Sequence, residues 1–279
     1  MKHKIEKNTV QETLIIPLYA RKVCSELYPN LYRDETAVRL IDEIDYDFSE
    51  AEKNSRGLMQ RFGSLEVAMR QNDLAFEVRD YLKSHPNAAV VNLGCGLDST
   101  GRSCDNGSCK IYNLDFPDVI AVRDELLPAG EREENIPCNL NDTEWFSQID
   151  ASGGAVFFAS GVFYYFLTEQ VKALVQKMAD AFPSGVLAFD AANRTAVKMI
   201  AKTWLKSAKI KDVGAYFAVS DAPKEIGAWD SRLQVSSRGY MLGYNDLKDP
   251  SVSRFFRFLA KVGDGMMKMQ IVRIKFGGR

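Results

Sequence analysis

Residues 88–100 read AAVVNLGCGLDST, an apolar run that passes into a loop carrying Gly94, Gly96, Asp98 and Ser99. Glycines let a backbone approach a ligand closely, and the loop that follows a buried strand is where open α/β sheets bind ligands. A dinucleotide fingerprint asks for a third glycine, which keeps helix and strand close together, and Ser99 stands in its place. Asp98 puts a negative charge where phosphates would lie, and no Gly-Lys-Ser/Thr follows as in a P-loop. The loop is therefore a poor phosphate cradle. Asp115, about twenty residues beyond Gly94, ends the run IYNLD, where a carboxylate can accept hydrogen bonds from two ribose hydroxyls. The competing role for such an acid is to start the next helix, for which Asp118 is equally well placed.

Glycines and acid together suit a nucleoside ligand that carries cationic groups instead of phosphates. S-adenosylmethionine is such a molecule: the glycines admit its methionyl portion, and carboxylates or carbonyls nearby receive its positive groups. Other chemistries find little support. The five cysteines, Cys24, Cys95, Cys104, Cys109 and Cys138, contain no CxxC pair and read as free thiols. With His3 and His85 the only histidines, no metal site is expected. His85, in KSHPNAA, reads as a helix exit, where a histidine favours the helix dipole.

The elements that must position these residues fall into two textures. Residues 1–85 read as helices without a strand pattern, with Asp34 as the N-cap of RDETAVRLIDEI and with Leu74, Val78, Tyr81 and Leu82 on one face of a helix ending before Pro86. From Pro86 onward, short apolar runs alternate with amphipathic helices, the pattern of an α/β fold with a largely parallel sheet covered on both faces. AAVVNLG, CKIYNLD, ENIPCNL, a segment of GGAVFFASGVFYYF and SGVLAFDAANR supply five strands. Pro117 opens one helix, and Thr168 caps another that repeats Val171, Leu174, Val175, Met178 and Phe182 at helical spacing. Beyond these, TAVKMIAKTWLKSAK reads as a helix, SRLQVSSRGYMLGY as strand and turn, DPSVSRFFRFLAKVG as a helix and MMKMQIVRIKF as a last strand whose direction spacing leaves open. Residues 1–85 are thus expected to cover a domain of residues 86–279, the two forming one integrated unit.

The chain has 279 residues, 46% hydrophobic and 26% charged, ordinary for a soluble protein with a substantial core. Its 36 basic residues balance 37 acidic ones, so no net field favours nucleic acid or an anionic membrane as partner. Neither a secretory leader nor a run of roughly 18 apolar residues is visible, so a cytoplasmic protein without a membrane partner is expected.

In order along most of the first 190 residues, TLIIPLYAR, AMRQNDLAFEVRDYL, VVNLGCGLDST, YNLDFPDVIAVRDELLP, NLNDTEWF and GVFYYFLTEQVKALV resemble a known family. It is the S-adenosylmethionine-dependent methyltransferases grouped with leucine carboxyl methyltransferase and the tetracenomycin-type polyketide O-methyltransferases. The resemblance implies a Rossmann-like class I fold, seven-stranded with one antiparallel strand, under a helical cover. It also implies that Arg70 reaches the cofactor carboxylate, that Gly94 adjoins the methionyl group, that Asp115 holds the ribose, and that Asn139 and Leu140 flank the adenine. Ser160 falls where the family carries an acid, which puts one contact in doubt.

Methyl transfer is an in-line displacement, so a protein contributes mainly alignment and exclusion of water. A carboxylate acceptor needs no base near pH 7, whereas a phenol benefits from one. No histidine occurs in any motif and no catalytic residue stands out, which leans toward a carboxylate or acidic hydroxyl on a small molecule. Tyr19, Arg21, Tyr165, Asp190, Arg194 and Arg238 are candidate substrate liners, with Arg21 or Arg194 able to hold a carboxylate. The alternatives are an NAD(P)-dependent oxidoreductase and a silent binding protein on a methyltransferase fold. The oligomeric state is open.

Overall fold

Strands buried on both faces need helices on both sides, and the run Ala89–Leu93, with all five residues buried, lies inside such an arrangement. The structure is a computed structural model that describes residues 2–5, 10–200 and 216–277. We number the strands of its main sheet β1 (Ala89–Leu93), β2 (Lys110–Asp115), β3 (Glu133–Pro137), β4 (Ala155–Ala159), β5 (Val186–Ala191), β6 (Gln234–Gly239) and β7 (Gln270–Lys275). They lie side by side in the order β3-β2-β1-β4-β5-β7-β6. All neighbouring pairs are parallel except those of β7, which runs antiparallel to both β5 and β6. The direction of β7, open from spacing alone, is settled by these pairings. The chain steps outward from β1 to β3 and then returns to the other side of β1 as β4. A ligand crevice is therefore expected at the carboxyl ends of β1 and β4.

The helices are α1 (Val10–Leu27), α2 (Glu35–Glu43), α3 (Ser49–Ser55), α4 (Leu58–Ser84), α5 (Thr100–Ser103), α6 (Pro117–Leu126), α7 (Thr168–Ala181), α8 (Arg194–Ile200), α9 (Ala222–Glu225) and α10 (Arg254–Gly265). Leu74, Val78, Tyr81 and Leu82 of α4 join Val90, Val156, Phe158 and Ala188 of the sheet in one apolar cluster, which α10 enters through Phe256 and Ala260. On the opposite face, Val171, Leu174, Val175 and Met178 of α7 pack with Val91, Phe157 and Leu187. Helix α4 is thus a layer of the sheet's own core as well as part of the amino-terminal block. Helices α1 and α2 dock instead on Leu97, beyond the glycine loop, and on Val122 and Leu126 of α6. Among the described residues, no helix is long and apolar enough to cross a membrane.

Local differences from the sequence expectations have simple causes. His3–Lys4 pairs in parallel with Ile44–Asp45, a two-residue bridge too short to carry an alternating pattern. Asp34 caps α2 as expected, accepting the Ala37 N–H at 2.8 Å. Thr168 is the first residue of α7 and Leu167 is its N-cap; the Leu167 N–H is taken by the Gln170 side chain at 2.8 Å. The helix expected over TAVKMIAKTWLKSAK is present as α8 to Ile200, and its remainder lies outside the described residues.

The turn after β6 is held by two acids, buried Asp73 and half-buried Asp264. Asp73 accepts the Met241 N–H at 2.9 Å and Asp264 the Leu242 N–H at 3.1 Å, while Met241 holds a left-handed φ of 84°. Burial pushes Asp73, 2% exposed, up to about 7. A carboxyl whose folded-state value is raised stabilises the fold fully below its ordinary range, and that contribution disappears as pH rises through about 7. Asp73→Asn keeps the acceptor without the charge. Urea denaturation should show the variant gaining on wild type by on the order of 2–4 kcal/mol between pH 5 and pH 8.

Candidate active site

The crevice is floored by the glycine loop. Gly94 and Gly96 adopt φ values of 65° and 45°, where other L-residues are strained. A Cβ on Gly94 would lie 2.6 Å from Val162 Cγ2, in the segment that follows β4. Gly94→Ala is therefore expected to lower stability by about 1–3 kcal/mol, read from the denaturation midpoint, because strain and overlap act together.

Asp98, expected to face the ligand, instead turns inward and is 7% exposed. Its carboxylate accepts the Thr100 N–H at 2.9 Å, the Thr100 hydroxyl at 2.7 Å and the Asn92 amide at 3.2 Å. The loop runs into a single helical turn, α5, and a local side-chain acceptor is what organises so short an element. Two buried arginines fix the loop from outside. Arg123 of α6 donates to the carbonyls of Gly96 at 2.9 Å and Asp98 at 2.8 Å, and Arg21 of α1 donates to that of Leu97 at 2.9 Å.

Asp115 ends β2 beside this loop. Its two carboxylate oxygens accept the N–H groups of Gly96 and Phe116, each at 2.8 Å, leaving lone pairs on both for further donors. Burial raises its pKa while those two N–H groups pull it back. The Cys138 N–H donates to the Asp115 carbonyl at 2.8 Å, which brings the exit of β3 alongside. Exposed Asn139 and buried Leu140 follow there, a polar and an apolar residue on one rim.

Arg70 of α4 and Asp190 of β5 meet at the ends of β4 and β5, with Nη1 and Oδ2 3.1 Å apart. Asp190 also accepts the Gly161 N–H at 2.6 Å. Gly161 holds a left-handed φ of 72°, and a Cβ there would come within 3.0 Å of the Arg70 guanidinium, so this position favours glycine. Burial opposes the Arg70 charge, and Asp190 restores it so far that the pKa is raised overall. Beside the pair, Arg70 Nε and Ser160 Oγ are buried without a hydrogen-bond partner among the described residues. Such atoms have the chemistry to meet a polar ligand.

The other expected residues divide. Tyr165 is 46% exposed next to Tyr164, whose hydroxyl lies by Asp190. Arg194 begins α8 exposed, just beyond β5. Tyr19 stacks on Phe48 at 5.5 Å within the helical cover. Arg21 is 3% exposed and paired with Asp34 at 2.9 Å, so its guanidinium is committed to the fold. Arg238 lies over the Tyr244 ring at 5.2 Å, on the face that α4 covers. His3 pairs with Glu125, and His85 stacks on Tyr81 before β1, at the amino edge of the sheet. Arg123 is a loop-bracing residue that the motifs do not point to. Its signal is a charge lying on the apolar stripe of α6, among Val119, Ile120, Val122 and Leu126.

Comparison with known proteins gives a concordant result. The profile of the leucine carboxyl methyltransferase family matches residues 18–179. The chain is 28% identical over 192 residues to the tetracenomycin polyketide synthesis O-methyltransferase TcmP of Streptomyces glaucescens, spanning 68% of this chain and 69% of that one. It is 24% identical over 258 residues to the S-adenosyl-L-methionine-dependent methyltransferase dpfgK of Gibberella zeae, spanning 86% and 85%. Among solved structures, a DUF574 family protein of Streptomyces avermitilis superposes with a TM-score of 0.58 at 12% identity, over 92% of this chain and 96% of that one. A Thermobifida fusca protein described as a methyltransferase superposes with a TM-score of 0.56 at 17% identity, over 93% and 94%. Both structures share the fold.

Proposed function

The chain belongs to the S-adenosylmethionine-dependent leucine carboxyl methyltransferase family, and on that premise we propose that it methylates an oxygen, a carboxylate or acidic hydroxyl, of a small apolar molecule. The observation that carries the reading is the convergence of Gly94, Asp115 and Arg70 at the carboxyl ends of β1, β2 and β4. The residues fit the cofactor: Gly94 leaves backbone open to the methionyl portion, Arg70 offers a guanidinium to its carboxylate, and Asp115 keeps acceptor sites for the ribose. Asn139 and Leu140 flank the place for the adenine. When bound, S-adenosylmethionine supplies an electrophilic methyl group on sulfur. Family membership displaces the nicotinamide alternative.

The protein's part in transfer is to hold the acceptor oxygen in line and keep water out. Burial raises the Tyr164 pKa well above its ordinary value and raises that of Tyr165, so neither hydroxyl is poised as a base. Both histidines are placed elsewhere. An acceptor already ionised near neutrality suits such a site. Tyr165, Met199, Tyr216 and Met266 are exposed, in or next to the segments that carry the apolar cluster of Tyr164, Ala192, Ala196 and Val197 and its neighbour Met267, and they support an apolar acceptor. The polyketide role in the name of TcmP points the same way.

Calorimetric titration with S-adenosylhomocysteine is expected to show one site per chain, and no binding to a folded sample at millimolar ligand would refute the cofactor assignment. Asp115→Ala should weaken that binding by about 1–3 kcal/mol through lost ribose hydrogen bonds. A labelled-methyl screen over carboxylic acids, acidic phenols and peptides ending in a free carboxylate tests the acceptor. Label on apolar small molecules is expected; label on peptides alone would overturn the acceptor class. Cofactor binding without transfer to any acceptor would favour a silent methyltransferase fold.

A further inference from the structure

The geometry points to Asp190 as the residue that receives the α-ammonium of the cofactor's methionyl portion, a role that rests on the methyltransferase reading above. The methionyl end is a zwitterion, with a carboxylate and an ammonium on one carbon. A partly buried site balances both charges when it offers one cation and one anion a few ångströms apart, because a desolvated charge left alone is costly. Arg70 and Asp190 are such a pair, 3.1 Å apart.

Ser160 alone cannot supply the anion. Its hydroxyl can accept a hydrogen bond but carries no charge to balance an ammonium, and Oγ is buried without a partner among the described residues. Strand register places the acid beside it. Ala159 of β4 is paired with Phe189 of β5, so Ser160, just past the end of β4, stands beside Asp190, which is still within β5 and paired with Ile271 of β7. The resemblance expects an acid at position 160; here a carboxylate stands one strand across, and the Gly161 N–H already donates to it at 2.6 Å. The Arg70 guanidinium, the Gly161 N–H and the Tyr164 hydroxyl occupy three of the roughly four lone pairs of the Asp190 carboxylate, leaving one for another donor.

The pair also accounts for the protein without ligand. Arg70 is the more exposed member, its side chain 14% accessible against 1% for Asp190. When the guanidinium turns toward the ligand carboxylate, the Asp190 carboxylate is uncovered for the ammonium. Two ion pairs replace one, and no buried charge is unpaired in either state. Arg70 and Asp190 thus act as stand-ins for the two ends of the zwitterion.

Calorimetry on the full chain with two probes tests this: S-adenosylhomocysteine, and its desamino analogue, which keeps the carboxylate but has hydrogen in place of the ammonium. Wild type is expected to bind the desamino analogue at least about tenfold more weakly than S-adenosylhomocysteine, and Asp190→Asn should abolish that preference while binding the analogue as well as wild type does. Equal weakening of both probes in Asp190→Asn would mean that Asp190 acts only by placing Arg70, and would overturn the proposal; so would unchanged affinity for S-adenosylhomocysteine. If Asp190→Asn does not fold, Asp190→Glu keeps the charge and a partner for Arg70 while displacing the carboxylate. It is expected to lower affinity several-fold for S-adenosylhomocysteine only, and a preference equal to that of wild type overturns the proposal. Folded wild type that binds neither probe would refute the methyltransferase site itself, a distinct result.

Discussion

Arg123→Leu is expected to destabilise the protein by about 3–5 kcal/mol and to remove measurable affinity for S-adenosylhomocysteine. The side chain is 1% exposed and makes three hydrogen bonds: to the Gly96 and Asp98 carbonyls, and from Nε to the Asn135 side chain at 3.2 Å. Leucine replaces much of the apolar stem but none of the donors. Two loop carbonyls then lose a charged donor in a place that water does not reach, and each such loss costs about 1–3 kcal/mol. The affected loop also carries the Gly96 N–H, which orients Asp115. Stability and cofactor binding should therefore fall together, by urea denaturation and calorimetry on one preparation. A variant within about 1 kcal/mol of wild type would show that the loop holds its shape without Arg123.

Arg21→Leu is expected to cost a further about 3–5 kcal/mol at a second brace of the same loop. The Arg21–Asp34 pair is almost fully enclosed, with side-chain exposures of 3% and 7%. Asp34 has other duties, since it caps α2 through Ala37 and accepts the Tyr32 hydroxyl at 3.1 Å. Removing the guanidinium leaves this buried carboxylate with neutral donors only. Arg21→Leu combined with Asp34→Asn, which takes away the stranded charge, should recover about 1–2 kcal/mol relative to Arg21→Leu alone. Additive losses in that cycle would mean that the pair's charge is unimportant and that packing sets the cost.

Much of the fold is legible because its signals are local. The apolar runs 89–93 and 186–191, the period of Val171, Leu174, Val175 and Met178, and Asp34 ahead of α2 each report on neighbours within a few positions. Less is legible where the partner is remote. Asp98, an acid in a ligand loop, turns into the protein because Thr100 and Asn92 supply its donors. Arg21 reads as a surface cation able to hold a substrate, yet helix packing encloses it against Asp34 and a carbonyl 76 residues away. A charge on a helix says nothing by itself about which face the tertiary structure will cover.

What the sequence by itself determined is the set of elements with short-range causes: the strand, the glycines of the loop, Asp115 at the next strand end, and the ordered motifs that mark the family. The tertiary structure alone decided how these are joined. It set β7 antiparallel between β5 and β6 through pairing. It brought Arg70 against Asp190 across 120 residues, and drew Arg123 onto the loop. The physical reason is that periodicity and turn chemistry are properties of adjacent residues, whereas the partner of a buried charge is chosen by whichever surfaces the packed core brings within about 3 Å.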